Sequence, residues 1–405
     1  MLSKFFWFFT STVLYAYIGY PLILTLMARL MPHRSKPSDE AGQEGPPSVT
    51  LLITAYKEED VIAKKLDNTL AIQYPPECLQ ILVAADESED RTVEIIQTYQ
   101  ERGVELSYSS PRRGKTAAIN RAIPLARGDI VVFSDANNFY ERDTLKELVR
   151  PFADPTVGAV SGAKTIAIGD GTLGESESLY WRYESYIKQQ ETRLGSCTGV
   201  AGEVFAVRRS LLSRLPERII NDDFYIAMQV FKRGYRVAYV PTARSVERVS
   251  PTAQDEILRR SRIVAGRYQA MVKAGELLPW DRPMVVWQVI SHKYLRPLVP
   301  FAMIGAFLAN LMAIIWPEQE PHPSLWRLSY PWGGIIFFLQ TLFYGLAYIG
   351  NFLRAGGQVG KLLYLPTFLV NSNLAALRGL YKFLTKQYSP RWQRVQRRPI
   401  GNPKP

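Results

Sequence analysis

The pattern of hydrophobic and polar positions divides the chain into three regions. Residues 5–28 contain no charged side chain, and about 24 such residues suffice to cross a hydrocarbon core of about 30 Å. Short apolar runs then alternate with stretches of helical period up to about residue 241. Long uncharged stretches return at 297–316 and 331–352. The pattern therefore predicts a membrane anchor, an α/β domain and a second membrane region.

The middle region predicts an α/β sandwich with a largely parallel sheet. Runs typical of buried strands each end in a polar residue or a turn, at 49–56, 81–86, 129–136, 157–163 and 203–209. Helix candidates lie at 60–71, 91–101, 115–126 and 143–152. Because ligands of such sheets bind at the carboxyl ends of the strands, the polar residues at those ends are the candidates for function.

The first apolar segment is typical of a membrane anchor rather than of a cleaved signal peptide. It exceeds the apolar core of about 7–15 residues that signal peptides have, and no A-x-A-like site follows it. Basic residues cluster at 29–36, whereas only Lys4 precedes the segment. By the positive-inside rule, we expect the residues after the anchor to face the cytoplasm. The prediction is a multi-pass protein of the cell (inner or plasma) membrane with a cytoplasmic catalytic domain.

A third apolar stretch, 362–384, contains Arg378 and Lys382 and precedes a basic tail. If the amino terminus lies outside, the tail obeys the positive-inside rule only when this stretch does not cross, so we expect an interfacial or re-entrant helix. Residues 280–294 mix aromatic and basic side chains, which favours a helix lying in the interface. The predicted divisions are an anchor (1–31), a linker (32–48), the α/β domain (49–275), interfacial and transmembrane helices (276–385) and a basic cytoplasmic tail (386–405).

Composition excludes several classes of protein. The 405 residues carry 49 Lys+Arg against 37 Asp+Glu, for a formal net charge of +12. Two distant cysteines, Cys78 and Cys197, and three histidines cannot build a disulfide framework or a Cys/His zinc site. A nucleic-acid partner would suit the charge, but no motif for one is present, and the basic stretches adjoin membrane segments. We therefore expect the basic excess to face a membrane and no nucleic acid to bind.

Acidic residues stand at three places where strands or loops end. Asp86 and Asp135 close two of the strand runs, and Asp222 with Asp223 opens a helical run. Any one of them is more often a turn former or a helix cap. Asp135, however, is followed two residues later by Asn137, and oxygen ligands at this spacing suit a hard cation that bridges phosphate oxygens. The acids together form a pattern that none of them establishes alone.

Lys115 adds a cation in front of a predicted helix. Segment 111–116, PRRGKT, places basic side chains and free backbone N–H groups where an anion would bind, and a solvated basic loop is the alternative. It is not a Walker A loop, because the required earlier glycine falls at Ser109. The sequence GDGTLG at 169–174 matches GxGxxG, but it follows several strands instead of opening a βαβ unit. We interpret it as a flexible turn.

In their order and spacing, these motifs resemble the family 2 glycosyltransferases over about residues 49–270. The motifs that carry the resemblance are Ala55 to Glu59, Asp86, Gly114-Lys115 with Asn120, Asp135-Ala136-Asn137, Thr198-Gly199, Arg208-Arg209 and Asp222-Asp223-Phe224. The flanking membrane segments match the branch that contains the cellulose, chitin and hyaluronan synthases. The resemblance implies the GT-A fold, an α/β nucleotide-sugar-binding sandwich with a largely parallel sheet, with transmembrane helices at both ends.

The resemblance assigns the donor side of the site. It implies that four residues contact the uridine of a UDP-sugar, namely Ala55, Tyr56, Glu58 and Asp86. Lys115 would approach the nucleotide part of the donor, and Arg262 would meet the diphosphate. Asp135 and Asn137 would hold a divalent cation, Mg²⁺ or Mn²⁺, on that diphosphate.

The resemblance also assigns the acceptor side. Asp223, with Asp222 beside it, would be the base that deprotonates the acceptor hydroxyl, with inversion at the anomeric carbon. Thr198 and Gly199 would lie on the acceptor side.

The chain departs from the family at three places. Lys57 stands where Asn is usual, and Asn137 stands where a second Asp is common. The QxxRW signature of processive synthases is replaced by RRSRI at 259–263, in which only Arg262 matches. This stretch therefore leaves both a processive enzyme and one that adds a single sugar open, and a basic helix near anionic lipid is the alternative interpretation of it.

The sequence as a whole predicts a membrane-bound inverting glycosyltransferase that transfers sugar from a cytosolic UDP-sugar to a growing polysaccharide or glycan acceptor, for the synthesis of envelope or extracellular polysaccharide. One alternative is transfer of one sugar to a lipid-linked acceptor, and another is a non-catalytic membrane scaffold. Retention of the four polar residues Asp86, Lys115, Asp135 and Asp223 argues against the scaffold. The expected partners are the donor, a glycan or lipid-linked acceptor and membrane lipid, and accessory export subunits are compatible with this function.

Overall fold

The computed structural model describes residues 1–31, 45–167, 171–248, 250, 252–317, 322–353 and 357–387. These residues fall into two units. The first unit contains the described residues of Met1–Ile23, Ile257–Tyr268 and Val289–Lys386, and the second contains those of Leu24–Glu256 and Gln269–Gln288. No observation tests the five predicted divisions of the chain, which stay predictions.

The second unit is built on one sheet. The strands found among the described residues are β1 (Val49–Ala55), β2 (Leu79–Asp86), β3 (Val104–Ser109), β4 (Ile130–Asp135), β5 (Phe139–Tyr140), β6 (Val157–Ile166), β7 (Phe205–Arg208) and β8 (Arg236–Glu247). Their order in the sheet is β3-β2-β1-β4-β7-β6-β8-β5. The predicted α/β class is confirmed, and the sheet is mixed. Strands β1 to β4 pair in parallel, as does β6 with β8, while the β4–β7, β6–β7 and β5–β8 pairings are antiparallel.

Helices flank the sheet and form the first unit. In chain order they are α1 (Leu2–Leu14), α2 (Tyr20–Leu30), α3 (Ile62–Leu70), α4 (Thr92–Thr98), α5 (Lys115–Ala122), α6 (Thr144–Val149), α7 (Gly171–Arg193), α8 (Asp222–Lys232), α9 (Ala253–Val272), α10 (Ala274–Leu277), α11 (Pro283–Val289), α12 (Val299–Ile315), α13 (Trp332–Gly350) and α14 (Gly357–Leu384). Helix α7 begins within the GxGxxG motif, so the motif is helical from Gly171 onward, and residues 169 and 170 lie outside the described residues.

The central strands show why the core forms where it does. All seven residues of β1 are buried, and β2 buries every residue after its first. Strands covered on both faces are expected to be largely apolar, and most residues of β1 and β2 are. Because β1, β2 and β4 run in parallel, their carboxyl ends meet at one edge of the sheet, and Thr54 of β1 is the register partner of Asp135 of β4.

Strand β8 was not predicted, because Pro241 interrupts its pattern. In the β6–β8 pairing, Gly162 is opposite Val240 and the next residue, Ala163, is opposite Arg244. The residues between, including Pro241, are therefore left out of the ladder. This is where a proline, which lacks a backbone N–H, is tolerated in a sheet.

Three helical stretches among the described residues are long and apolar enough to cross a membrane, namely Leu2–Leu30, Pro283–Ile315 and Trp332–Gly350. The predicted N- and C-terminal apolar helices are thus confirmed. The segment predicted as a separate interfacial helix, 280–294, continues instead into the second stretch. Helix α14 is not one of the three, and its predicted interfacial or re-entrant position stays a prediction.

Candidate active site

Lys115 is the centre of a charged cluster at the sheet edge of the second unit. Its Nζ donates a hydrogen bond of 2.8 Å to Asp135 Oδ1 and lies 3.8 Å from Asp222 Oδ2. Thr54 Oγ1, at the end of β1, donates to the same Asp135 oxygen at 3.2 Å. Burial alone would lower the pKa of Lys115, but Asp135, Asp222 and Asp223 outweigh it and raise the pKa. The ammonium therefore stays charged, and the structure brings together four residues that the sequence had singled out.

Asp222 and Asp223 are the first two residues of α8. Carboxylates are stabilised at a helix N-terminus, where the N–H groups have no partner within the helix. Asp223 Oδ1 accepts a hydrogen bond from the N–H of Phe224 at 2.8 Å. Burial, followed by the negative charge of Asp222, raises the pKa of Asp223 to about 6. A carboxylate with a pKa close to neutrality is suited to accept a proton.

Asp86 holds the basic loop in front of α5. Its Oδ1 accepts the N–H of Arg113 at 3.1 Å, and its Oδ2 accepts the N–H of Gly114 at 2.7 Å. Glu87 in turn accepts the N–H of Arg112 at 3.0 Å. The sequence had suggested that these three backbone N–H groups are available to an anion. In the structure they donate instead to the carboxylates of Asp86 and Glu87. Each Asp86 oxygen retains a second lone pair for another donor.

The other residues predicted to hold the nucleoside follow β1. Ala55 is its last residue and is fully buried. The Tyr56 ring lies under the Arg112 guanidinium, with 3.7 Å between the guanidinium carbon and the ring centroid. Glu58 is buried, and its N–H donates to Thr92 Oγ1 at 2.8 Å. All of these residues belong to the second unit, as does Asp86, whose strand β2 is adjacent to β1.

Lys57 lies between these residues in a left-handed backbone conformation. Its φ is +54°, a region in which Asn is several-fold enriched over other residues with a side chain. The side chain of Lys57 pairs with Glu89, with 2.7 Å between Nζ and Oε2. The Asn that the resemblance leads us to expect here would suit this conformation, and Lys57 adopts it with its side chain in an ion pair.

Asp135 and Asn137 offer two oxygens that fit a divalent cation. The Oδ1 atom of Asn137 is buried and has no hydrogen-bond partner among the described residues. An unsatisfied carbonyl oxygen two residues from a carboxylate suits a cation that takes oxygen ligands. Within the described ranges, no group of three or more His, Cys, Asp or Glu side chains forms a metal site.

Thr198 and Gly199 lie in the loop between α7 and β7. The hydroxyl of Thr198 donates to Glu191 at 3.0 Å, and its backbone N–H donates to Glu191 Oε2 at 2.7 Å. The carbonyl of Gly199 accepts from the Cys197 thiol at 3.1 Å. The Thr198 side chain thus fixes this loop to α7. The predicted contact of these two residues with an acceptor stays a prediction.

Arg262 differs from the other predicted site residues. It lies in α9 and belongs to the first unit, whereas the others belong to the second. Its predicted contact with a diphosphate stays a prediction.

Sequence reasoning missed two residues near the site, Gly202 and Lys65, because neither belongs to a functional motif. Gly202 packs against Asp223, and Lys65 is bonded to the residues on either side of the Asp135–Asn137 turn. A glycine in a loop and a lysine in a short helix have common structural explanations. Only their three-dimensional neighbours distinguish them.

Comparisons with known proteins indicate a family for this chain. The sequence profile described as "Glycosyl transferase family 2" matches residues 50–215. The beta-monoglucosyldiacylglycerol synthase of Synechocystis sp. is 26% identical over 362 residues, which are 84% of this chain and 72% of that protein. The poly-beta-1,6-N-acetyl-D-glucosamine synthase of Staphylococcus aureus is 28% identical over 234 residues. This second match spans 56% of each protein, so the chain covers little more than half the length of that relative.

One solved structure is similar over nearly the whole chain. It is a mannosyltransferase from Pyrobaculum calidifontis in complex with GDP-Man and Mn²⁺, with a TM-score of 0.71 and 23% identity, covering 96% of this chain and 100% of that one. At this identity the likeness shows the fold alone. The predicted α/β fold of the GT-A type with terminal apolar helices is confirmed.

Proposed function

The chain belongs to the family 2 glycosyltransferases, and on that premise we propose that it is a membrane-bound, inverting enzyme that transfers one sugar from a UDP-sugar to a lipid acceptor. The profile match and the relatives identify a glycosyltransferase enzyme, so the non-catalytic scaffold is rejected. The observation that carries the proposal is the cluster of Lys115, Asp135, Asp222 and Asp223 at the sheet edge.

In the proposed reaction, Asp223 takes the proton of the acceptor hydroxyl. The hydroxyl oxygen attacks the anomeric carbon on the face opposite the diphosphate, the bond from that carbon to the diphosphate oxygen breaks, and UDP leaves with the bonding electrons. The configuration at the anomeric carbon is therefore inverted. The raised pKa of Asp223, about 6, supports this role, because a base works best when its pKa is close to the working pH.

Lys115 and the Asp135–Asn137 turn act on the leaving group. The Lys115 ammonium remains charged and neutralises part of the negative charge that builds up on the diphosphate. Asp135 and Asn137 hold a divalent cation, Mg²⁺ or Mn²⁺, which when bound offsets the remaining charge of the diphosphate. The Oδ1 atom of Asn137, which has no hydrogen-bond partner in the described part of the chain, supports this assignment.

On the donor side, Ala55, Tyr56, Glu58 and Asp86 contact the uridine. Their shared position at the ends of β1 and β2 supports this, since ligands of such sheets bind at the strand ends. Arg262 contacts the diphosphate, and Thr198 and Gly199 contribute to the acceptor side.

The choice of a lipid acceptor rests on the extent of the likenesses. The match to the glucosyldiacylglycerol synthase covers 84% of this chain, whereas the match to the polysaccharide synthase covers 56%. The replacement of QxxRW by RRSRI points in the same direction. The second match nevertheless favours a second candidate, extension of a polysaccharide.

For either acceptor, the three apolar helical stretches support a multi-pass membrane enzyme, and the basic residues after the first stretch support a cytoplasmic catalytic domain.

The proposal is tested with purified protein, Mn²⁺ or Mg²⁺, and diacylglycerol in mixed micelles. UDP-glucose, UDP-galactose, UDP-N-acetylglucosamine and GDP-mannose are supplied separately, and nucleotide release and product size are measured. We expect one UDP-sugar to release UDP in a lipid-dependent manner and to yield a lipid with a single added sugar. A ladder of long products identifies the polysaccharide candidate instead. Release from GDP-mannose alone overturns the donor assignment.

A further inference from the structure

Lys65 is a fully buried lysine of α3 in the domain that contains the proposed active site. Its Nζ donates to Ser134 Oγ at 2.8 Å, to the backbone oxygen of Asn138 at 2.9 Å and to Asn138 Oδ1 at 3.3 Å. An ammonium has three protons to donate, and these three oxygens match that number. The lysine is therefore fully satisfied by two residues that are four positions apart in the chain.

These two residues bracket the turn that carries the proposed cation ligands. Ser134 directly precedes Asp135, and Asn138 directly follows Asn137. The Ser134 hydroxyl also donates to Asn138 Oδ1 at 3.0 Å, and Asn138 Nδ2 donates to the backbone oxygen of Glu203 at 2.8 Å. The ammonium of Lys65 thus closes the turn by joining its two ends.

Packing alone does not explain why a charged side chain stands at position 65. Its three hydrogen-bond acceptors are neutral oxygens, and its Nζ lies 4.5 Å from the centroid of the Tyr140 ring. Burial lowers the pKa of Lys65 to about 7, and the charge of Asp135 acts in the opposite direction. Burying an ammonium loses its hydration, and its hydrogen bonds to Ser134 and Asn138 offset that loss. A role in holding the turn explains the presence of a lysine.

We propose that Lys65 is a positioning residue that holds Asp135 and Asn137 in the arrangement needed to bind the divalent cation. This inference rests on the proposed function, because it concerns the cation assigned there to the donor diphosphate. Lys65 does not touch either ligand. It acts through Ser134 and Asn138, in the way that residues behind metal ligands commonly orient them.

The two lysines near Asp135 therefore act differently. Lys115 donates to the Asp135 carboxylate itself and neutralises charge, so its loss is expected to weaken nucleotide binding with or without metal. Lys65 donates to the ends of the turn. Its loss is expected to affect only the part of nucleotide binding that depends on metal.

The test uses Lys65→Met in the full-length enzyme, with Lys64→Met as the matched control. Lys64 is the adjacent residue of the same helix and is exposed. UDP affinity is measured by calorimetry with Mn²⁺ and again with EDTA, and Mn²⁺ binding is followed through the electron paramagnetic resonance signal of the free ion. We expect Lys65→Met to weaken Mn²⁺ binding and Mn²⁺-dependent UDP binding by about 10- to 100-fold. UDP binding in EDTA and all properties of Lys64→Met are expected to remain at the wild-type level.

A second variant keeps the test informative if Lys65→Met does not fold. Ser134→Ala removes one of the acceptors, and we expect it to weaken Mn²⁺ binding in the same direction by a smaller factor. If both variants fold, the double variant is expected to be no weaker than Lys65→Met alone, because both changes remove the same link. Lys65→Arg retains the charge and is expected to keep part of the Mn²⁺ affinity that Lys65→Met loses.

The outcomes separate this inference from the proposed function. If wild-type protein binds UDP equally well with Mn²⁺ and with EDTA, the cation assignment itself fails. If wild-type binding depends on Mn²⁺ and folded Lys65→Met shows the same dependence, only the role of Lys65 is overturned. Equal losses with Mn²⁺ and with EDTA would also overturn it, since they would indicate general damage to the domain.

Discussion

Gly202 packs directly against Asp223. A Cβ atom added at Gly202 would lie 3.1 Å from the Cβ of Asp223 and 3.3 Å from its Oδ2. These distances are below the optimal separation of about 3.5–4.0 Å for non-bonded carbon atoms. The absence of a side chain at 202 therefore allows the carboxylate to occupy its present position.

Gly202→Ala is expected to lower kcat by a few-fold to about tenfold with little change in the affinity for UDP. The added methyl forces the Asp223 side chain to move by a few tenths of an ångström, and about 1 Å of misplacement at a reacting group can cost about 100-fold in rate. Steady-state kinetics and UDP calorimetry provide the measurement. Gly275→Ala is the control, because a Cβ atom added there would meet no neighbouring atom of the described residues within 4 Å. Wild-type kcat in Gly202→Ala would argue against Asp223 as the base.

Asp223→Asn is expected to reduce turnover by about 10²- to 10⁴-fold, the usual contribution of a general base. The amide has a similar shape but cannot accept the proton, so UDP binding is expected to remain. Turnover is measured as UDP release, and UDP binding by calorimetry. Asp281→Asn, at an exposed position, is the control for loss of one negative charge. Normal turnover in Asp223→Asn would assign the base elsewhere.

The ends of the parallel strands were predictable because two simple patterns coincide there. Asp86 directly follows an apolar run, only Ser134 separates Asp135 from another, and parallel strands in register bring such ends to one edge. Strand β8 was not predictable in the same way, because its pairing with β6 is interrupted at Pro241 by a bulge. No pattern indicated the burial of Lys65, because a lysine in a short amphipathic helix usually points to water. Its partners Ser134 and Asn138 lie about 70 residues further along the chain, and only the fold brings them together.

The pKa of Asp223 predicts how the rate depends on pH. The base works only when ionised, so kcat is expected to fall as the pH decreases through about 6. Asp222→Asn removes the neighbouring negative charge, which lowers the pKa of Asp223 and moves this fall in rate to lower pH. The measurement is kcat between about pH 5 and pH 8 for both proteins. A shift of the Asp222→Asn profile to higher pH would contradict the assignment.

Lys115→Met is expected to shift the same pH profile in the opposite direction. The ammonium of Lys115 lowers the pKa of Asp223, so its removal leaves the carboxylates of Asp135, Asp222 and Asp223 without that cation. The pKa of Asp223 should then rise, and the fall in kcat should begin at higher pH.

The same change is expected to weaken UDP binding by at least about tenfold with or without metal, since a charge-assisted hydrogen bond to a phosphate contributes on the order of 1.5–3 kcal/mol. Lys146→Met is the matched control, because Lys146 is exposed and lies 3.5 Å from Asp143 on the surface. Thermal unfolding of both variants separates loss of the fold from loss of function. A Lys115→Met enzyme with an unshifted pH profile would show that Lys115 does not control the base. Undiminished UDP affinity would show that it does not contact the donor.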